Sequence, residues 1–270
     1  MSYVQHNLFI NQNIFTNFIM TTPSSVSSNN TLIQRIERLE QLIYEIQSNF
    51  DISLYETTLR IKKILLSSRL PGCILYKVPQ DYYTHSLQWR AKQLGTTPDH
   101  LCKTIIFENL SLGNDGIINN LHAPLYQQKY IAIIVQYISK VNLDILARYL
   151  ASAGKDKTNA SPSSSVKLAM ASPETILPLT GFSFNGITPF GCHISIPIII
   201  SKSIMELSSP SYIWLGGGEV DIKLRVYLHS LIHTPGIAAK CLNSSDESYK
   251  PVVLDCTELR DTEELLHIDE

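Results

Sequence analysis

Apolar residues near the N-terminus recur at helical spacing. Between residues 31 and 50 they are separated alternately by four and three positions: Leu32, Ile36, Leu39, Ile43, Ile46 and Phe50. This heptad seam predicts a helix that pairs with a second copy in a parallel two-stranded coiled coil. It is equally typical of one amphipathic helix that packs onto its own domain. A homodimer through residues 31–50 and a folded-back helix are therefore both open.

The segments around this seam differ in texture. Residues 1–30 are rich in Asn, Ser and Thr and end in TTPSSVSSNN, which predicts a disordered leader. After the seam, apolar positions between Ser53 and Ser68 predict a second helix, and the following Pro-Gly pair ends it. We therefore assign residues 1–30 to a leader and residues 31–70 to a helical arm.

From Cys73 onward, short strand patterns alternate with short helical patterns. Nearly continuous apolar runs predict buried strands at Tyr130–Tyr137 and Pro197–Ser201. Further strands are predicted at Cys73–Val78, Thr104–Phe107, Tyr212–Gly216 and Val220–Leu224, and helices at Ser86–Leu94, Asn142–Ala153 and Pro173–Leu179. The pattern predicts a mixed α/β domain over residues 71–240.

Composition excludes several classes of protein. Of the 270 residues, 44% are hydrophobic and 17% are charged, which excludes a wholly disordered chain. No apolar run reaches the roughly 18 residues that span a bilayer, and residues 1–20 lack the Lys or Arg of a secretory signal. The 5 cysteines are irregularly spaced and match neither a disulfide framework nor a zinc site. We expect reduced thiols and a cytoplasmic protein.

Charge is distributed unevenly along the chain. The formal net charge is −2, yet residues 71–240 contain 14 basic and 10 acidic side chains, whereas residues 241–270 contain 2 basic and 9 acidic ones. A mildly basic centre is compatible with a polyanionic partner such as a nucleic acid. The segment 241–270 is predicted to be an acidic, solvated tail.

The signatures of several common enzyme classes are absent from the sequence. It contains no G-x-x-x-x-G-K-[ST], no G-x-S-x-G and no H-E-x-x-H. His229 and His233 have the spacing of two ligands on one helix, but no third ligand follows them. We therefore expect neither a metal nor another cofactor.

Three segments have the residue types of a binding site. Lys103 stands where a predicted helix gives way to an apolar strand, and an ammonium there can hold a phosphate or a developing oxyanion. In Thr180–Gly191, glycines and a proline shape a loop with exposed backbone groups, and Thr188 adds a hydroxyl. In Trp214–Leu224, glycines between strands permit a bound group to approach. A strand-end lysine, a surface turn and a plain hairpin are the alternatives.

In this order the three segments resemble the YbaK/ProX family of aminoacyl-tRNA deacylases, over roughly Cys73–Ile232. The family's lysine segment, similar to KTLV, is matched by Lys103–Ile106. Its loop, roughly LTGF.PGGVSPFG..IPV, is matched by Leu179–Phe182, Asn185–Gly191 and Ile196–Ile198. Eukaryotic members with an N-terminal helix share three further motifs with this chain. These are DYY followed by RA (Asp81–Tyr83 and Arg90–Ala91), HLCK (His100–Lys103) and WLGGGEVD (Trp214–Asp221).

The resemblance implies a mixed, partly closed β-sheet with flanking helices and a cleft for the 3′ end of a mischarged tRNA. It implies hydrolysis of the aminoacyl ester in trans, without a cofactor. The implied partner is tRNA, with an aminoacyl-tRNA synthetase as a further candidate. The alternative is a weak or inactive deacylase-like module that binds tRNA or a synthetase.

The residues and the resemblance together give a set of site predictions. The catalytic candidates are Lys103, Gly186, Thr188 and Pro189. The substrate-binding candidates are Asn185, Gly191, Gly216, Gly217, Gly218 and Asp221. The family's G-x-x-x-P begins with glycine where this chain has Asn185. Because Asn accepts a left-handed backbone better than most residues, we expect the loop shape to be kept, with the Asn185 side chain near the substrate pocket.

Overall fold

The computed structural model describes most of the chain from residue 55 onward. The described residues are Arg35, Leu39, 55–70, 72–114, 116, 118, 120–153, 166–208, 211–233, 236–242, 244 and 247–261. Leu54–Glu270 form one compact unit. Of the heptad helix predicted for residues 31–50, Arg35 and Leu39 are helical and exposed, and the rest lies outside the described residues, as does the predicted leader. Dimerisation through this helix stays a prediction.

The unit contains both helices and strands. Within the described residues the helices are α1 (Glu56–Ser68), α2 (Leu87–Gln93), α3 (Leu143–Ala153), α4 (Pro173–Thr180), α5 (Lys202–Met205), α6 (Leu228–His233) and α7 (Ile237–Cys241). The strands are β1 (Ile74–Lys77), β2 (Cys102–Asn109), β3 (Tyr130–Gln136), β4 (Ser139–Val141), β5 (Leu168–Met170), β6 (Ile198–Ser201), β7 (Tyr212–Gly216), β8 (Ile222–Tyr227), β9 (Val252–Leu254) and β10 (Thr257–Leu259). Single turns of 3₁₀ helix lie at Tyr82–Thr84, Pro98–His100, Leu110–Leu112 and Leu125–Gln127.

The central sheet has five strands in the order β5-β2-β3-β6-β9. Strand β2 is antiparallel to β3 and β5, whereas β6 is parallel to β3 and β9. Side chains of β3 alternate between two apolar clusters: Ala132 and Ile134 face one, and Ile131 and Ile133 face the other, which includes Leu146 of α3. Burial on both faces explains why β3 is apolar throughout.

A second sheet lies beside the first. Its three antiparallel strands have the order β1-β8-β7. A parallel bridge from Leu101, just before β2, to Trp214 of β7 joins the two sheets. Strands β4 and β10 form a separate antiparallel pair. The predicted mixed α/β fold with a partly closed sheet and flanking helices is thereby confirmed.

Two parts of the unit lie outside the predicted domain limits of 71–240. Helix α1 belongs to the predicted arm, and strands β9 and β10 belong to the predicted acidic tail. Strand β9 pairs with β6, and β10 pairs with β4. Cys256 is fully buried and packs with Val252 in the cluster beneath α3. Apolar burial therefore holds this stretch on the sheet despite its acidic composition.

Candidate functional site

The loop that follows α4, residues 181–191, combines a tight turn with buried anchors. The N–H of Gly186 donates to the carbonyl three residues earlier at 3.1 Å. Asn185, inside this turn, has a φ of 64°, in the left-handed region, as we expected for this residue. Phe182 and Phe190 are almost fully buried and anchor the two halves of the loop in the core. The polar turn is therefore carried on a rigid base.

This 181–191 loop packs backbone to backbone against the glycine turn between β7 and β8. The N–H of Gly218 donates to the carbonyl of Gly186 at 2.9 Å. A Cβ atom on Gly186 would lie 2.7 Å from the Gly218 carbonyl oxygen, and one on Gly216 would overlap the carbonyl of Ile187. Only glycine permits such an approach. In this structure the space beside the glycine turn is filled by the loop itself.

Helix α1 packs against both of these segments. The Arg60 guanidinium donates to the carbonyls of Thr180 and Gly181 at 3.0 and 3.2 Å. One turn earlier, the Thr57 hydroxyl donates to the carboxylate of Glu219 in the glycine turn. The helix therefore ties the base of the loop to the hairpin.

A small cavity lies next to Gly216, between the hairpin, α2 and the start of β2. Its lining includes four aromatic side chains and two cations, namely Tyr82, Tyr83, Tyr137, Trp214, Arg90 and Lys223. Its volume is about 10 Å³, which is about what one water molecule needs. The cavity is aromatic and cationic in character.

Lys223 connects this cavity to the loop. Because side chains alternate along β8, Leu224 faces the core and Lys223 faces the tyrosines, where it is only 4% exposed. Its Nζ donates to the Tyr83 hydroxyl oxygen at 2.5 Å and to the Val220 carbonyl at 3.1 Å. The Tyr83 hydroxyl in turn donates to the carbonyl of Asn185 at 3.0 Å. An unbroken chain of hydrogen bonds thus joins the hairpin to the loop.

Burial dominates the electrostatics of this chain. It lowers the pKa of Lys223 to about 7; the nearby Arg90 guanidinium acts in the same direction, and Asp221 opposes it. Burial also raises the pKa values of Tyr82 and Tyr83 well above their usual range, so both are neutral phenols. The ammonium lies 4.3 Å from the centroid of the Tyr83 ring, a favourable cation–π distance. Lys223 therefore exchanges its proton near neutral pH.

Lys103 is the second residue of β2, which begins two residues before the predicted strand Thr104–Phe107. Its neighbour Cys102 lines the cavity, whereas the Lys103 ammonium lies 5.4 Å from the centroid of the Tyr137 ring. Burial, and secondarily the charge of Arg260, lower its pKa to about 8. Among the described contacts, Lys103 is linked to the loop through Tyr137 and Tyr83, which hydrogen bond to each other.

The remaining catalytic candidates lie deeper in the loop. Thr188 is fully buried, and within the described part of the chain its hydroxyl has no hydrogen-bond partner. Pro189 is buried beside it. The Cys192 thiol donates to the carbonyls of both residues at 3.4 and 3.7 Å. The structure therefore places an unsatisfied hydroxyl directly behind the polar turn.

The last substrate-binding candidates make structural contacts. The Asp221 carboxylate lies 3.8 Å from Lys77 Nζ. The N–H of Gly217 donates to the Ile222 carbonyl at 2.9 Å. Gly191 has a φ of 76° and faces side chains of α1. Of the predicted set, the structure brings together Asn185, Gly186, Gly216, Gly217 and Gly218, with Thr188, Pro189 and Gly191 behind them and Lys103 separate.

Sequence reasoning gave no role to Lys223, Tyr83 or Arg90. A lysine between the apolar residues of β8 has the pattern of an outward-facing strand position. It is buried because its neighbours on the adjacent strands are Tyr76 and Gly216, so the hairpin leaves room for it. This register cannot be inferred from the sequence, although the Tyr82–Tyr83 pair was a usable signal.

Metal and membrane features are absent from the described part of the chain. No three His, Cys, Asp or Glu side chains there lie close enough together to hold a metal ion. None of the helices there has the length and apolar character that crossing a bilayer requires. All 5 cysteines are free thiols.

Comparison with known proteins decides the family. The family model described as the aminoacyl-tRNA editing domain matches residues 84–232, more than half of the chain. The chain belongs to this editing-domain family. The matched range includes α2, Lys103, the 181–191 loop and the glycine turn. Comparison with curated proteins gives no match.

Solved structures share the fold of this editing domain at low sequence identity. One is a candidate trans-editing enzyme for prolyl-tRNA synthetase, with a TM-score of 0.52 and 16% identity over 76% of this chain and 99% of that chain. Another comes from epitope backbone grafting onto scaffold proteins by computational design, with a TM-score of 0.50, 14% identity and the same coverage. These similarities show a shared fold.

The glycine contact predicts the cost of adding one methyl group. Gly216→Ala should lower the free energy of unfolding by about 3 kcal/mol, because the backbone of the loop must move away. Gly236→Ala is the control: its Cβ meets only an ordinary contact, 3.9 Å from Glu247 Cβ, and only its left-handed backbone is strained, which costs about 1 kcal/mol. Urea denaturation measures both, and equal losses would contradict the close contact.

The low pKa of Lys223 predicts how stability changes with pH. Between pH 7 and 9 the folded protein has released this proton, whereas the unfolded chain still holds it, so stability rises with pH. One proton over this range contributes about 2 kcal/mol. Lys223→Met should lack this contribution. The contribution of Lys103, whose pKa is also lowered, should be the same in both proteins. Parallel stability curves for the wild type and the variant would show that Lys223 titrates normally.

Proposed function

We propose that this chain hydrolyses the ester bond of mischarged aminoacyl-tRNA and does so in trans. Membership of the editing-domain family supports the substrate class. The observation that carries the proposal is the backbone of the 181–191 loop, in which Asn185 keeps a left-handed φ of 64° at the position of the family glycine. The loop can therefore present the same backbone groups to a substrate. The neighbour described as a candidate trans-editing enzyme supports action on a released tRNA.

Two groups supply the chemistry in this proposal. Hydrolysis of an ester builds negative charge on the carbonyl oxygen, and donors fixed in a dry site stabilise that charge. The Thr188 hydroxyl is buried behind the turn and has no partner among the described residues; in this proposal it binds the substrate or the attacking water once the loop shifts to expose it. Lys103 supplies a cation for the phosphate of the terminal nucleotide.

The partner in this proposal is the aminoacylated 3′ end of tRNA. An aminoacyl-tRNA synthetase is a further partner, which the neighbour related to prolyl-tRNA synthetase supports. We also propose a cytoplasmic location, where the 5 free thiols would stay reduced. The Leu32–Phe50 seam would add a homodimer.

A panel of mischarged tRNAs tests the proposal directly. Purified full-length protein is incubated with each tRNA at neutral pH, and loss of the ester is followed against a buffer blank. We expect at least one mischarged tRNA to be deacylated and its correctly charged counterpart to be spared. If every ester in the panel survives as long as in buffer, the enzyme proposal fails.

One observation favours a second function, that of a module that binds tRNA or a synthetase without hydrolysis. The cavity of about 10 Å³ is too small for an aminoacyl group, and α1 ties the loop to the hairpin beside it. Binding in a filter assay, together with an inert panel, would establish this function. Deacylation would show instead that the cavity opens around the substrate.

Loss of the Lys103 charge should slow deacylation. Lys103→Ala removes a charge-assisted hydrogen bond of about 1.5–3 kcal/mol, or roughly 10- to 150-fold in rate. Lys92→Ala, on the exposed face of α2, is the matched control and should deacylate like the wild type. Initial rates on one mischarged tRNA measure both, with melting temperature as the folding control. An unchanged rate for Lys103→Ala would show that Lys103 does not contact the substrate.

Restoring the family's glycine should alter substrate choice. Asn185→Gly removes the side chain and relieves the left-handed strain, so we expect faster deacylation or a wider range of amino acids removed. Asn185→Ala separates the causes, because it shortens the side chain without relieving the strain, which is larger for alanine than for asparagine. The same panel measures all three proteins. If Asn185→Gly has the wild-type range and rate, the side chain lies outside the substrate pocket.

A further inference from the structure

Lys223 is a buried cation whose direct hydrogen-bond partners are neutral. Its ammonium donates to the Tyr83 hydroxyl and the Val220 carbonyl. Asp221 is the carboxylate whose charge favours the ammonium form of Lys223, and that carboxylate lies 3.8 Å from Lys77 Nζ. The titratable or charged groups that face Lys223 from the packed elements are Tyr76, Tyr82, Tyr83, Arg90, Cys102, Tyr137 and Asp221. Burying an ammonium without a directly bonded carboxylate costs free energy. The contacts of Lys223 therefore point to a functional role for this side chain.

The charge on Lys223 decides the direction of the hydrogen bonds. An ammonium has three donors and no acceptor, so the Tyr83 oxygen must accept from it. The Tyr83 proton is then free for the carbonyl of Asn185, 3.0 Å away. A neutral amine has a lone pair that can accept the Tyr83 proton instead. The carbonyl of Asn185 would then lose its donor.

The loop has a reason to need this donor. Asn185 is one of two described non-glycine residues with a positive φ, a conformation that strains an L-amino acid. A hydrogen bond to its carbonyl fixes the peptide that joins it to Gly186. The next peptide, between Gly186 and Ile187, accepts a hydrogen bond from the N–H of Gly218 and leads to Thr188. Holding the Asn185 carbonyl therefore sets the backbone of the candidate site.

We propose that Lys223 and Tyr83 are positioning residues that hold the Asn185 peptide in place while Lys223 is charged and release it when Lys223 is neutral. The effect on activity rests on the proposed deacylase function, whereas the effect on the loop does not. Neither side chain needs to contact the substrate, because both act through the backbone of the loop.

Amide hydrogen exchange of the 181–191 loop tests the clamp without any substrate. After correction for the intrinsic rate, the wild type should exchange about fivefold more slowly at pH 6 than at pH 8.5, the effect of one hydrogen bond. Tyr83→Phe should exchange fast at both pH values. Lys223→Met should exchange slowly at both, because no amine is then present to take the Tyr83 proton. Tyr82→Phe, a neighbour in the same 3₁₀ turn, is the matched control and should behave like the wild type.

The outcomes of this experiment are distinct. Wild-type exchange in Tyr83→Phe, or a pH dependence that survives in Lys223→Met, would overturn the proposal. A purely structural role for these residues would change melting temperatures but would not give opposite exchange at pH 8.5 in the two variants. Both substitutions are close in size to the native side chains, and far-UV circular dichroism confirms that each variant is folded.

Deacylation rates then connect the clamp to function. With the uncatalysed rate subtracted, the wild-type kcat/KM should fall several-fold between pH 6 and 8.5. That of Lys223→Met should fall less, by the part that the loss of charge on Lys103 alone contributes. Tyr83→Phe should be slow throughout, and similar to the wild type at pH 8.5. A clamp seen by exchange, with every protein inert on tRNA, would support the positioning role and overturn the proposed function. A level wild-type profile in an active enzyme would overturn the clamp's role in catalysis.

Discussion

The candidate site depends on one contact, the backbone-to-backbone packing of the 181–191 loop on the glycine turn of the β7–β8 hairpin. Gly186 and Gly218 share a hydrogen bond of 2.9 Å, and Gly216 leaves no room for a side chain beneath Ile187. With the loop at this depth, Phe182 and Phe190 are buried and Asn185 comes within reach of Tyr83. A larger residue at Gly216 would lift the whole arrangement.

Around this contact the chain buries cations among aromatic rings. Lys223 and Arg90 lie against Tyr82 and Tyr83, and Lys103 lies against Tyr137. Cation–π contacts offset part of the cost of removing charges from water, but not all of it. The residual cost is expressed as lowered pKa values, about 7 for Lys223 and about 8 for Lys103. The region is therefore sensitive to pH in a range where most lysines are fully charged.

Much of the fold could be predicted from the sequence. The apolar runs of β3 and β6 gave their positions, and the predicted helices Ser86–Leu94 and Pro173–Leu179 agree with α2 and α4 to within a residue or so at each end. Strands β9 and β10 could not be predicted, because they are three-residue strands in an acidic segment and form only by pairing with β6 and β4. Short strands owe their existence to neighbours that are distant in sequence.

The site was predictable to the extent that its chemistry lies in local motifs. The loop, the glycine turn and the left-handed Asn185 follow from glycine, proline and asparagine, whose backbone preferences are local. The burial of Lys223 and its hydrogen bond to Tyr83 depend on the register of β8 with β1 and β7. Lys223 and Tyr83 are 140 positions apart in the sequence. The surroundings of Lys103 likewise depend on which way β2 turns its side chains, because Cys102 lines the cavity and the neighbouring Lys103 does not.

The most direct measurement is a crystal structure of the full chain with a non-hydrolysable amide analogue of aminoacyl-adenosine. We expect the amide carbonyl within hydrogen-bond distance of the loop between Asn185 and Pro189, with the cavity beside Gly216 enlarged to take the amino-acid side chain. The 5′ end of the nucleoside should point toward Lys103. An analogue bound elsewhere, with the loop and the cavity unchanged, would contradict the assignment of this site.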